Sequence, residues 1–259
     1  MTNKKIYEIN KAIKVLKLSG KKVYSNNFAP ISAAGESIVS ENSVVLIKPD
    51  HGINRVLFYT NDFCDLGKAI SKVSIPLTLD IITKNKEDYN DELTTYGFKK
   101  FEVMRRLVNY DISEIVNKKT ISLDSTKAYG TIATPQDTHL INQKLWSVFD
   151  TRVSHLLYDD ELEESINNGE IIIRKECGQV VTILQRILNN NKFYINQVYN
   201  GSDSVYIHGI MGTELKKYYD MGGRYLYAWA QSSNVAANIF HAKYGMSFDG
   251  LYDVVYIKE

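Results

Sequence analysis

Three polar side chains near the C-terminus stand at spacings that suit proton chemistry on one helix. Asn234 precedes Val-Ala-Ala-Asn-Ile-Phe, with His241 seven residues on and Tyr244 ten. A helix rises about 1.5 Å per residue, so Asn234 and His241 fall two turns apart on one face. An imidazole titrates near neutrality and can carry a proton. The same residues have plainer uses. Asn caps helices, His decorates surfaces, and Tyr beside a glycine turn packs into cores. A second run, His208-Gly209-Ile210-Met211-Gly212-Thr213, precedes a helix expected over roughly 212–221. Consecutive N–H groups at such a start, aided by the helix dipole, favour an anion such as phosphate. Two glycines near a helix start are common, so this run alone says little.

The elements that must position these residues follow from periodicity. Ile6, Ile9, Ile13 and Leu16 form one helical stripe with lysines opposite. Residues 37–48 and 53–60 predict two strands, joined by the turn Pro49-Asp50-His51-Gly52. Asn61 or Asp62 is placed to cap a helix over 63–73. Residues 77–83 predict a strand, 87–96 a helix stopped by Gly97, and 101–110 a further strand. Residues 113–130 are polar and predict a linker. Thr134 or Asp137 then caps a helix with Pro135 in its first turn. A helix over 159–167 and strands at 170–175, 179–187 and 192–199 follow. Gly222-Gly223 ends the next helix. The chain closes as strand, helix, glycine turn and strand.

A weak internal repeat underlies this order. Leu77-Thr-Leu-Asp-Ile-Ile-Thr-Lys-Asn85 precedes Tyr96-Gly97, and Leu226-Tyr-Ala-Trp-Ala-Gln-Ser-Ser-Asn234 precedes Tyr244-Gly245. The reading is two related α/β units in tandem: 1–112, a linker over 113–130, and 131–259.

Bulk properties exclude several classes. The chain has 259 residues, 44% apolar and 24% charged, enough for one large or two small folded units. A net charge of +1 gives no global pull toward nucleic acid or membrane. Seven lysines and one glutamate in the first 22 residues read as a solvated helix face. Cys64 and Cys177 stand far apart, which gives neither a disulfide framework nor a zinc site. No apolar run suggests a signal peptide or a membrane span, so the cytoplasm is the expected compartment.

The pattern Asn234-x-x-Ala-x-x-Phe-His-x-Lys-Tyr-Gly-Met246 resembles the terminal signature of the GNAT acyltransferases. Ile132-Ala-Thr-Pro-Gln-Asp137 is similar to the start of such domains. The resemblance covers about 130–259 in element order and 1–112 more loosely, as a degenerate copy. It implies an α/β fold of two tandem units, each a mixed, mostly antiparallel sheet flanked by helices. It implies acetyl- or another acyl-coenzyme A as cosubstrate, no metal, and transfer to the amine of a small molecule or peptide. Nucleic acid and membrane are not expected as partners, and the oligomeric state stays open.

The resemblance also assigns roles. Asn196, Gln197 and Val198 would present backbone to the pantetheine arm. His208, Gly209, Ile210, Met211, Gly212 and Thr213 would form the pyrophosphate loop, although Tyr206 stands where the family has Gln or Arg. Asn234 would lie beside the cofactor. His241 holds the position where the family commonly has Tyr as the acid for the departing thiolate, with Tyr244 as the other candidate. Two other readings stay open: a tandem transferase using aminoacyl-tRNA, and a non-catalytic protein that binds or senses acyl-coenzyme A.

Overall fold

The computed structural model describes residues 2–26, 34–117, 129–189, 191–201 and 204–259. The elements in order are α1 (Asn3–Leu18), β1 (Tyr24–Ser25), β2 (Glu36–Val39), β3 (Ser43–Asp50), β4 (Ile53–Thr60), α2 (Phe63–Ile70) and β5 (Leu77–Thr83). Next come α3 (Asn90–Thr95), β6 (Lys99–Asn109), α4 (Ser113–Asn117), β7 (Thr131–Ile132), α5 (Thr138–Trp146) and α6 (Asp159–Asn167). The remainder are β8 (Ile171–Glu176), β9 (Gln179–Asn189), β10 (Lys192–Asn200), α7 (Ser204–Asp220), β11 (Tyr225–Gln231), α8 (Val235–Ala242) and β12 (Ser247–Lys258).

Two compact units result, one of residues 1–104 with 251–259 and one of residues 105–250. These boundaries differ from the blocks 1–112 and 131–259 expected above. The reason is the closing strand. Residues 251–258 lie in the first unit, where β12 pairs antiparallel with β5 from Tyr252↔Thr83 to Lys258↔Leu77. There β12 supplies Val254 and Tyr256 to a core shared with Phe58, Leu66, Leu79 and Leu93. The expected linker also differs. Residues 113–117 form α4, begun by Asp111 accepting from the Ser113 N–H at 2.9 Å. Residues 118–128 lie outside the described residues.

In the first unit, β3 is paired along its length with β4, and β4 runs parallel to β5. The stretch 37–48 is two strands, because Ser40 and Ser43 close a turn between them. The His51-Gly52 turn takes φ of 51° and 81°, as a tight hairpin requires. Asp62 caps α2, accepting from the N–H groups of Cys64 and Asp65. Ile9, Ile13 and Leu16 of α1 pack on Val44 and Leu46, covering the face opposite the α2 side.

In the second unit, β8, β9 and β10 pair antiparallel, and β10 runs parallel to β11. Helices α7 and α8 cover one face with Ile207, Met211 and Phe240. Helices α5 and α6 cover Ile171 and Ile183 on the other. The two units therefore repeat one order: strand, helix, parallel strand, helix, closing strand.

The repeat extends to the turns. Phe98 N donates to Leu93 O at 3.2 Å, and Met246 N to His241 O at 3.3 Å. Gly97 and Gly245 both have positive φ, 82° and 64°. Both are the same C-terminal helix cap, in which a left-handed glycine lets the chain fold back on the last turn. Tyr256 is fully buried in the first unit's core. Tyr256→Ala should cost about 3–5 kcal/mol. Amide exchange should show the loss at residues 45–98, far away in sequence.

Candidate active site

The central feature of the second unit is a break in strand pairing. β10 and β11 pair in parallel register from Lys192↔Tyr225 to Ile195↔Ala228, and there the ladder stops. Both strands continue, β10 to Asn200 and β11 to Gln231. The break coincides with a bulge. Ile195 stands opposite Arg186 and Gln197 opposite Gln185, so Asn196 is an extra residue. A bulge bends its strand and resets the alternation of side chains. Phe193 and Ile195 face the α7 side, but after the bulge Val198 takes that side and Tyr199 packs against α5 and α6. Beyond the bulge the facing edges of β10 and β11 carry backbone groups outside the ladder. Among the described residues no strand enters this gap.

Asn196, Gln197 and Val198 thus lie at the mouth of the gap. Sequence spacing shows neither the bulge nor the polar chain beneath it. Asn196 Nδ2 donates to Gln185 Oε1 at 3.0 Å, Gln185 Nε2 to Ser165 Oγ at 3.4 Å, and Ser165 Oγ to Glu170 Oε2 at 2.6 Å. Gln185 and Ser165 are buried, as is Gln197, whose Oε1 has no partner. These residues come from separate elements, so no local pattern marks them.

The run from His208 to Thr213 is not a loop. It lies inside α7, which begins at Ser204 rather than near residue 212. Thr213 Oγ1 donates to Gly209 O at 2.9 Å, one helical turn back. Mid-helix N–H groups are committed to the helix and cannot cradle an anion. The stripe Ile207, Ile210, Met211, Leu215 and Tyr218, all buried, was the legible sign of this helix. Burial of that stripe outweighs the cost of two helical glycines, about 1 kcal/mol each. Gly209 has its own reason: a Cβ there would meet the Tyr129 ring at 2.0 Å. β10 ends at Asn200 and α7 begins at Ser204.

Asn234 is the N-cap of α8, its Oδ1 accepting from Ala237 N at 3.0 Å. His241 is 5% exposed, and its Nδ1 has no partner. Burial lowers its pKa to about 4. It is neutral near pH 7, which removes the imidazolium that the acid role required. In the repeated helix cap its counterpart is the buried Leu93. Tyr244, 1% exposed, hydrogen-bonds to His208 Nδ1 at 2.7 Å. Burial raises the phenol above its ordinary range, so it keeps its proton. Lys243 Nζ lies 3.2 Å from His208 Nε2. Burial and the Lys243 charge both lower the His208 pKa. A lysine, an imidazole and a phenol thus form one line, with His208 acting through its side chain rather than its backbone.

No protein-family model matches this chain, and no curated protein matches it. Solved structures are similar. A GCN5-related N-acetyltransferase from Sphaerobacter thermophilus superposes with a TM-score of 0.56 at 12% identity, over 84% of this chain and 76% of that one. A tandem GNAT protein from the clavulanic acid biosynthesis pathway gives 0.56 at 9% identity, over 100% and 96%. A GCN5-related N-acetyltransferase from Kribbella flavida gives 0.55 at 11% identity, over 95% of each. The fold is that of the GNAT acetyltransferases, and the tandem GNAT protein matches over the full length of this chain.

The folded pKa of His241 lies below its ordinary value of 6.5. The unfolded chain therefore binds the extra proton between pH 6.5 and 4. Stability linked to His241 is full above 6.5 and falls as pH drops through that window, by roughly 3 kcal/mol in all. His241→Leu should flatten this part of the pH profile, read from urea unfolding at pH 7 and 4.5. Because it also removes an unpartnered buried nitrogen, it should not lower stability at pH 7.

Proposed function

We propose that the second unit binds an acyl-coenzyme A and transfers its acyl group to an amine. The observation that carries this reading is the gap where β10 and β11 part. Two strand edges with backbone groups outside the ladder can take an extended amide-bearing arm as an added strand. Ala228 and Ala230, both buried, put only small side chains on the α7 side of β11. α7 begins four residues after the end of β10, and its N-terminus suits the diphosphate of the same cofactor. No metal is needed by this arrangement.

In the transfer, the amine nitrogen bonds to the acyl carbon and releases a proton to solvent, the C–S bond breaks, and the thiolate takes a proton from a donor that solvent then reprotonates. We assign that proton to Tyr244, since a buried phenol holds it at neutral pH and His241 carries none to spare. Tyr244 belongs to the same apolar cluster as Ala230 and Val198 at the gap. His208 orients the phenol. The burial of both Tyr244 and His241 also favours a second reading, a protein that binds acyl-coenzyme A without turning it over.

Acetyl-coenzyme A should raise the melting temperature. At one hundred times Kd the gain is about 2.7 kcal/mol. No shift with acetyl- or longer acyl-coenzyme A would end the cofactor reading. With an amine acceptor found by screening, Tyr244→Phe should lower kcat by about 100-fold while leaving acetyl-coenzyme A affinity unchanged. An unchanged kcat removes Tyr244 from the step, and binding with no turnover on any amine selects the second reading.

A further inference from the structure

The first unit has the same strand gap, and it is filled. β4 and β5 pair in parallel from Asn54↔Leu77 to Val56↔Leu79 and then part, as β10 and β11 do. The other edge of β4 is paired with β3 along its whole length, from Asp50↔Ile53 to Ser43↔Thr60. A third strand can reach β4 only from the gap side. That strand is β1, which pairs antiparallel with Tyr24 opposite Thr60 and Ser25 opposite Tyr59.

Asn26 completes the filling. Its Nδ2 donates to Val56 O on β4 and to Asp80 O on β5, each at 2.9 Å. Its Oδ1 accepts from Phe58 N at 2.8 Å. One buried carboxamide, 8% exposed, thus satisfies backbone groups on both parted strands. Tyr24 pins the segment, its ring 5.4 Å from those of Phe63 and Tyr89. The start of α2 is also taken, since the Asp62 carboxylate accepts its first N–H groups.

We propose that residues 24–26 are the resident occupant of the first unit's gap. The Asn26 carboxamide stands where a pantetheine amide would lie, and the Asp62 carboxylate where a phosphate would. The first unit is therefore self-liganded and takes no acyl-coenzyme A, and the chain binds one molecule of it. The stoichiometry rests on the reading of the second unit given above; the filling by Asn26 does not.

The test uses the full chain, calorimetry with acetyl-coenzyme A, and residue-resolved amide exchange with and without it. The expected results are one site per chain and ligand-induced protection confined to the second unit, at residues 196–200, 229–231 and the first turn of α7. Two sites, or new protection at 56–60 or 80–83, overturns the proposal. Asn26→Ala should speed exchange at the Phe58 amide about tenfold, as the loss of one buried hydrogen bond implies. Unchanged exchange there overturns the role of Asn26. If Asn26→Ala does not fold, the wild-type map decides. Slow Phe58 exchange, insensitive to ligand, supports the proposal, and fast or ligand-dependent exchange overturns it. Absence of any binding heat overturns the acyl-coenzyme A reading of the second unit, and the Phe58 exchange still judges the filling.

Discussion

Two parallel strands that start paired and then part are the constraint on which both units depend. Parted strands leave backbone donors and acceptors inside the fold, and such groups must find partners. The bulge at Asn196 sets the parting in the second unit. It turns Val198 toward α7 and Tyr199 toward α5 and α6, so both helical layers are held to the bent half of β10. The helix after β10 and the helix after β11 then converge on one apolar cluster, where Tyr244 meets His208. In the first unit the same demand is met from within, by one asparagine and a two-residue strand.

The shared helix cap shows how a repeated backbone can carry different chemistry. Leu93 and His241 accept the same fold-back hydrogen bond in their units. Leu93 is a simple core residue. His241 puts a nitrogen without a partner into an equivalent place, and its charge is suppressed there. Tyr96 bonds to the carbonyl of Cys64 near the start of α2, and Tyr244 to the His208 ring within α7. The copies keep the turn and change its polar partners.

Much of the element order was legible in the chain. The helical stripe at Ile9, Ile13 and Leu16, the Asp62 cap, the Thr134–Asp137 capping box and the glycine turns at 97 and 245 all appear as local patterns. Local reading misled where burial overrode propensity. Gly209 and Gly212 read as a loop, yet Ile207, Ile210, Met211 and Leu215 bury one side of a continuous helix. The pairing of the closing strand with β5 was not legible, because strand pairing across about 170 residues leaves no mark in either segment.

The sequence by itself determined most of the element order, the repetition of an α/β pattern, and the polar residues near a glycine turn in the second copy. Those features are set by contacts within a few residues, such as caps, turns and periodic apolar faces. Only the tertiary structure decided which groups can do chemistry. Burial took the charge from His241, packing against Tyr129 explained Gly209, and the approach of α7 to the residue before Gly245 joined His208 to Tyr244. The bulge at Asn196 and the carboxamide of Asn26 belong to the same category. Each matters through backbone groups on a neighbouring strand, and hydrogen bonds between distant segments are not written in the spacing of either one.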